Sequence, residues 1–256
     1  MTALIKKIYK TILNEKQRNH LYYFLFRFRA KKYGGNEVEC PICDNHFSQF
    51  LTYGNVPRAQ ALCPRCNSLE RNRVMWLYLQ KEWKIKERQA KILHFAPEIG
   101  IEKQMKKMTN LTYIGADLNP QLADYQMDIC QIPNNDNEYD LILCAHVLGH
   151  VPDEGKAIRE MKRVLKTDGL AIIMTVIDMK NPKTHESSAA KTPAEKLENY
   201  GESDLVRLHG LDFGDRLAAQ GFKVDRLDYR LIFSESEQKK YGLGQGAREV
   251  LYLCRK

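Results

Sequence analysis

Ile92-Leu93-His94-Phe95-Ala96-Pro97-Glu98-Ile99-Gly100 is an apolar run entering a turn, and the same pattern recurs downstream. Tyr113-Ile114-Gly115-Ala116-Asp117 ends on an acid, Asp128-Ile129-Cys130 supplies another, and Leu141-Ile142-Leu143-Cys144-Ala145-His146 ends on a histidine. Short apolar strands that alternate with helical patterns build a parallel sheet, and such sheets bind ligands at the carboxyl ends of their strands. The polar residues fall at those ends, so the region reads as a ligand site as well as a core.

Working outward, strands are expected over 91–96, 111–117, 126–130, 139–145, 170–177, 222–229 and 249–255. Helices are expected around 99–108, 153–166 and 211–220. Thr167-Asp168-Gly169 reads as the end of the second, and 180–203 reads as polar and poorly periodic. The link Arg230–Ala247 lacks the apolar face of a crossover helix, so the last strand should lie antiparallel to its neighbour.

Ahead of the sheet, Cys40-Pro41-Ile42-Cys43 and Cys63-Pro64-Arg65-Cys66 form two Cys-x-x-Cys pairs. Each presents two thiolates from one tight turn, and two such turns complete a tetrahedral shell for a structural Zn2+. With four protein ligands no position stays open for water, so the metal is not expected to catalyse. Phe47–Ala61 reads as short strands and turns, and His46 as a bystander. Ser68 can cap a following helix carrying Leu69, Val74, Met75, Leu77, Tyr78 and Leu79. Cys130, Cys144 and Cys254 read as buried thiols.

The chain has 256 residues, 43% hydrophobic and 28% charged, enough for one large α/β domain with an appendage. No stretch approaches the roughly 20 apolar residues that span a bilayer, and no secretory pattern is visible, which leads to the expectation of a cytoplasmic protein. The net charge of +8 is unevenly placed. Residues 1–35 hold nine Lys and Arg against Glu15, or +8, so the remainder is near neutral. Leu4, Ile5, Ile8, Ile12 and Leu13 give that arm an apolar stripe between lysines. Such a helix either docks on the main domain or lies on an anionic membrane surface, peripheral to the inner face. Tyr22, Tyr23, Phe24, Phe26 and Phe28 read as packing residues. The expected units are therefore a basic helical arm (1–35), a zinc ribbon (36–67), a linking helix (68–90) and a sheet domain (91–256).

Over roughly residues 90–256 the chain resembles the class I S-adenosylmethionine-dependent methyltransferases, of the broad group called methyltransferase type 11. The residues that carry the likeness are Tyr139-Asp140-Leu141-Ile142-Leu143, His146-Val147-Leu148, His150-Val151-Pro152-Asp153, Glu160, Arg163-Val164-Leu165-Lys166 and Gly169. The zinc knuckles ahead of an Ile-Leu-His-Phe-Ala-Pro-Glu strand also resemble a bacterial subgroup. The resemblance implies a Rossmann-like doubly wound sheet with S-adenosyl-L-methionine as cofactor. It implies that Asp117, beside Leu118, binds the ribose hydroxyls, that Asp128 and Ile129 read the adenine, and that Cys144, Ala145 and His146 lie beside the methionine portion. The first turn departs from the family. Of its glycines only Gly100 survives, Ala96 stands where the backbone must approach closely, and His94 replaces the customary acid. Glu98 is then a candidate for the ligand's ammonium group.

For catalysis, His146 and His150 are candidate general bases, or else a wall residue and a helix-entry hydrogen-bonder. Tyr200–Asp212 resembles the family's substrate-side element, which makes Tyr200, Arg207 and His209 candidate acceptor contacts. Arg207 could bind an acidic group or pair with Asp204 or Asp212. The acceptor is expected to be a small molecule or glycan, methylated on O or N. An RNA methyltransferase gripping RNA with ribbon and arm is an alternative. Against it, the sheet domain is near neutral and the Asn/Asp-Pro-Pro-aromatic signature is absent after Cys144. A non-catalytic, zinc-held scaffold is the other alternative.

Overall fold

The structure is a computed structural model that describes Gln17, Leu21, Phe26 and residues 28–256. The apolar stripe and most of the basic arm lie outside the described residues, and the expected docking of the arm with them. Of its aromatics, Phe26 is buried and Phe28 is exposed.

Two short hairpins come first: β1 (Val38–Cys40) with β2 (Asn45–Phe47), and β3 (Leu51–Tyr53) with β4 (Arg58–Leu62), both antiparallel. Helix α1 (Glu70–Lys81) follows. The sheet domain then runs β5 (Ala90–Phe95), α2 (Ile99–Met105), β6 (Leu111–Asp117), β7 (Tyr125–Gln126), β8 (Tyr139–Ala145), α3 (Glu154–Val164), β9 (Leu165–Met174), α4 (Pro193–Tyr200), α5 (Phe213–Ala219), β10 (Lys223–Leu227), α6 (Glu235–Tyr241) and β11 (Leu251–Arg255). The seven strands order as β10-β11-β9-β8-β5-β6-β7. All neighbours are parallel except β11, which is antiparallel to β9 and β10, as expected of its polar link. The order reverses between β5 and β8, which opens a crevice at their carboxyl ends.

Alternation along β8 assigns the two faces of the sheet. Leu141, Leu143 and Ala145 pack with Ile92, Ile172 and Leu253 toward α1, α2 and the ribbon. Ile142 and Cys144 pack with Leu93, Ile173 and Tyr252 toward α3 and α5. Burial of Ile158, Met161 and Val164 on α3 contributes about 1.5–3 kcal/mol each. Cys40, Cys63, Cys66, Phe47 and Phe50 of the ribbon belong to the same apolar cluster as the sheet, so ribbon and sheet share one core. Arg73, 0% exposed, clamps the junction. Its guanidinium stacks 4.1 Å over Phe50 and donates to the carbonyls of Ser68, Tyr241 and Gly242.

Several boundaries differ from expectation for local reasons. Helix α3 ends at Val164, because Leu165 already pairs with Tyr139. Thr167-Asp168-Gly169 therefore lies in an irregular stretch of β9, where Leu170 resumes pairing opposite Leu141. The strand expected at 126–130 stops at Gln126, since Asp128 Oδ1 accepts the Cys130 N–H at 2.8 Å and turns the chain. Within 180–203 the structure contains α4, capped by Thr192 and Glu195 and closed by Gly201 at φ 81°. Ser68 caps nothing. Its hydroxyl lies 3.3 Å from Cys40 Sγ and 3.1 Å from Cys66 Sγ, while Asn72 Oδ1 accepts the Leu69 N–H at the start of α1. Cys144 and Cys254 are buried as expected, whereas Cys130 is only half-buried.

Candidate active site

At the reversal point β5 and β8 end alike. Ala96 has φ 48° and His146 φ 59°, both in the left-handed region although neither is glycine. Their N–H groups donate to Ala116 O and Met174 O, each at 2.8 Å, which holds the two turns against the neighbouring strands. Non-glycine residues in this region each carry roughly 1–2 kcal/mol of strain, and such strain collects at functional sites.

A cleft of about 290 Å³ opens beside the first turn, lined by Ser68, Asn72, Ala96, Glu98, Asp117 and Leu122 among others. Six of its fourteen lining residues come from the segment 66–72 that leaves the ribbon. A Cβ on Gly100 would lie 3.2 Å from the Cys66 carbonyl oxygen, so the surviving glycine lets α2 sit against the second knuckle. Gly115 gives similar room to Pro97, at 3.2 Å.

Glu98 and His94 have inward tasks instead of the ligand contacts expected of them. His94 is fully buried, with Nε2 2.9 Å from Glu98 Oε2 and Nδ1 3.0 Å from the Tyr113 hydroxyl. Asn72 donates to Glu98 Oε1 at 2.7 Å. Burial opposes ionisation of Glu98, but the His94 bond and nearby charge hold its carboxyl below the ordinary value. Burial pushes the Tyr113 phenol up, so it stays protonated and donates to His94. Both carboxylate oxygens of Glu98 already accept protein donors, so the side chain ties the first turn to α1.

Asp117 and Leu118 lie at the end of β6, with Asp117 half-buried on the cleft and Leu118 67% exposed. Asp117 Oδ1 accepts the Asn119 N–H at 2.8 Å. Asp128 is exposed beyond β7, and Ile129 beside it is buried. Acids at the ends of adjacent strands suit a vicinal diol and an exocyclic amine, so this donor set fits the nucleoside half of S-adenosylmethionine. Cys144 and Ala145 are core residues, 0% and 5% exposed, and the chain first reaches the site at His146. The His146 Nε2–H donates to Arg248 O at 3.2 Å, which leaves Nδ1 with the lone pair. Burial, together with the charges of Arg71 and Arg248, holds this imidazole well below its ordinary pKa, so it is neutral near pH 7.

The candidate substrate-side residues make internal contacts. Arg207, 4% exposed, donates to the carbonyls of Leu148, Val151 and Pro152 and to Glu186, and pairs with neither Asp204 nor Asp212. It is a clamp on the turn that carries His150. His209, 1% exposed, bridges Glu154 at 2.6 Å and Thr175 at 2.9 Å. Burial would raise the Glu154 carboxyl, but His209 and Arg216 hold it below its ordinary value. Tyr200 is buried and its hydroxyl accepts the Ser187 N–H at 2.8 Å. Arg207 and His209 line a small pocket of about 10 Å³ together with His146 and His150. His150 is half-buried, 3.5 Å from Asp204. Arg71 and Asn72, which the sequence did not single out, line the cleft, and Arg248 contacts His146 through its carbonyl.

The four cysteine sulfurs lie within 4.8 Å of one another. Cys40 and Cys66 sulfurs are 3.5 Å apart and Cys43 and Cys63 sulfurs 3.8 Å. A disulfide would need about 2.05 Å. Four thiolates around zinc at about 2.3 Å stand about 3.8 Å apart, so the cluster fits a tetrahedral metal. His46 is exposed and outside it.

Residues 98–173 match the family of methyltransferase domains. A demethylmenaquinone methyltransferase of Staphylococcus carnosus is 31% identical over 68 residues, 25% of this chain and 28% of that protein. An uncharacterized protein of Methanocaldococcus jannaschii is 43% identical over 49 residues, 19% of this chain and 21% of that one. The chain thus spans under a third of the curated relatives' length. Among solved structures, the YcgJ protein of Bacillus subtilis superposes with a TM-score of 0.50 at 14% identity, covering 72% of this chain and 99% of that one. The cyclase SpnF superposes with a TM-score of 0.52 at 14% identity, covering 95% and 97%. These likenesses show the fold alone. No helix among the described residues is long and apolar enough to cross a membrane. Sheet order and antiparallel last strand give the sheet domain the fold of the class I methyltransferases, residues 98–173 match the methyltransferase-domain family, and a four-cysteine ribbon is joined to it.

Proposed function

We propose that the protein transfers a methyl group from S-adenosylmethionine to an oxygen or nitrogen nucleophile of a small molecule or glycan. The observation that supports this reading is the pair of left-handed turns at Ala96 and His146 that end the two strands of the reversal, with Asp117 lining the cleft beside Ala96. Asp117 would hold the ribose hydroxyls, Asp128 and the Ile129 backbone the adenine, and the turn at Ala96 the methionine portion. When bound, the cofactor supplies a methyl group already made electrophilic by its sulfonium. The protein's task is then to align the nucleophile, which proximity and orientation can favour by several kcal/mol. His146 is the base that the geometry supports, with Nε2–H held by Arg248 O and Nδ1 available to take a proton. His150 is the weaker candidate, since it faces Asp204 and Glu202. The four cysteines would hold a zinc ion whose role is to fold the ribbon and, through it, the cleft wall.

Titration calorimetry with S-adenosylmethionine tests the reading. Saturable binding to wild type that is lost in Asp117→Ala is the expected result, and absence of heat with wild-type, zinc-loaded protein would overturn it.

A further inference from the structure

The segment that leaves the ribbon places two unsatisfied polar atoms on the wall of the cofactor cleft. Asn67 follows the last cysteine of the second knuckle and has φ 63°, in the left-handed region that asparagine visits more readily than most residues. Its N–H donates to Cys63 O at 3.3 Å, so the knuckle fixes the direction in which its side chain leaves the backbone. Asn67 Oδ1 is buried and accepts no hydrogen bond among the described residues. Arg71 lies in the first turn of α1, and its Nε is buried and donates no hydrogen bond among them either. Both residues line the same cleft of about 290 Å³ as Ala96, Glu98 and Asp117.

Arg71 Nε stands 4.0 Å from Glu98 Oε1, near enough to balance its charge but too far to hydrogen-bond. The two oxygens of Glu98 are engaged by Asn72 and His94. The wall therefore presents an open acceptor, an open donor and charges of both signs. Such a set does not select a bare anion. It suits a zwitterion, whose ammonium donates to an amide oxygen and whose carboxylate accepts from a guanidinium. Buried donors and acceptors left unmade are costly, and a ligand that completes them offsets that cost. S-adenosylmethionine carries such a group in its amino-acid end, and Asp117 on the same cleft suits its ribose. We propose that Asn67 and Arg71 hold the ammonium and the carboxylate of the cofactor's amino-acid end, which makes the exit of the ribbon part of the cofactor site. The inference rests on the methyl-transfer reading above.

Calorimetry on the full-length, zinc-loaded protein tests this with two ligands, S-adenosylhomocysteine and methylthioadenosine, which keeps the nucleoside and the sulfur but lacks the amino-acid end. Asn67→Gly removes the amide and keeps the left-handed backbone without strain. Asn67→Gly and Arg71→Gln should each weaken S-adenosylhomocysteine about tenfold or more and leave methylthioadenosine within about twofold of wild type. Arg71→Lys, which keeps the charge but loses the fork, should fall between. Equal losses for the two ligands would mean that these side chains only hold the wall in place, and would overturn the proposal. Unchanged affinity for S-adenosylhomocysteine in both Asn67→Gly and Arg71→Gln would overturn it as well. Should a variant fold poorly, wild type alone decides, since it should bind S-adenosylhomocysteine at least about tenfold more tightly than methylthioadenosine, and equal affinities overturn the proposal. If wild type binds neither ligand, the methyl-transfer reading fails and this inference with it. If wild type binds S-adenosylhomocysteine and the variants lose nothing, only this inference fails.

Discussion

Asn72, three residues into α1, donates to the carboxylate of Glu98 at 2.7 Å and so joins the ribbon's outgoing helix to the turn that borders the cofactor cleft. The bond crosses two units that the sequence presents as separate. Because Glu98 also holds His94, a disturbance of the ribbon reaches the end of β5 through two hydrogen bonds.

Removal of metal should therefore weaken cofactor binding without touching any residue that contacts the cofactor. Chelation, or Cys66→Ser, is expected to unfold the ribbon and lower the affinity for S-adenosylhomocysteine. Zinc content and calorimetry on the same samples check this. Unchanged affinity in metal-free protein would show that the cleft wall stands without the ribbon.

Asp117→Ala and Arg207→Ala should separate binding from stability. The first should cost about 1–3 kcal/mol of cofactor affinity with little change in melting temperature. The second strands the carbonyls of Leu148, Val151 and Pro152 and should lower stability by about 3 kcal/mol. Calorimetry and thermal melts on both variants would show the opposite pattern if Arg207 were an acceptor contact.

Ala96→Gly should stabilise the protein. Relieving a left-handed alanine contributes about 1 kcal/mol, which corresponds to about 2–4 °C in a protein of this size. A lowered melting temperature in Ala96→Gly would show that no strain resides there.

Mild acid should destabilise the fold before its carboxylates titrate. Burial holds His146 and His209 below the ordinary imidazole value near 6.5. As pH falls through about 6.5 the unfolded chain takes up protons that the folded chain refuses, so stability drops, by up to about 1.4 kcal/mol per pH unit for each group. Glu98 and Glu154, held low when folded, add to the loss only below about pH 4.3. Melts between pH 8 and pH 5 check the window, and His146→Gln should flatten part of the slope.

The parallel strands were legible because continuous apolar runs such as Leu141–Ala145 have no other stable home, and the four-cysteine cluster was legible because paired Cys-x-x-Cys turns bring four thiols together. Helix α4 was not, although Thr192, Glu195 and Gly201 spell its caps, because an exposed helix shows little apolar periodicity. The internal partners of Arg207 and His209 were hidden for a different reason. Their partners lie about 55 residues away in sequence, and nothing local distinguishes an arginine that caps buried carbonyls from one that greets a ligand.

The Arg73 clamp bears on how the chain matures. Its guanidinium is satisfied by the carbonyls of Tyr241 and Gly242, 168 and 169 positions downstream. At about 5–20 residues per second, synthesis takes roughly 10–30 s to cover that distance. Until those residues are made the Arg73 cation has only the nearby carbonyls of Gln60 and Ser68, and contacts of such long range form late. The junction between ribbon and sheet domain thus closes only once the segment around Tyr241 and Gly242 has been made.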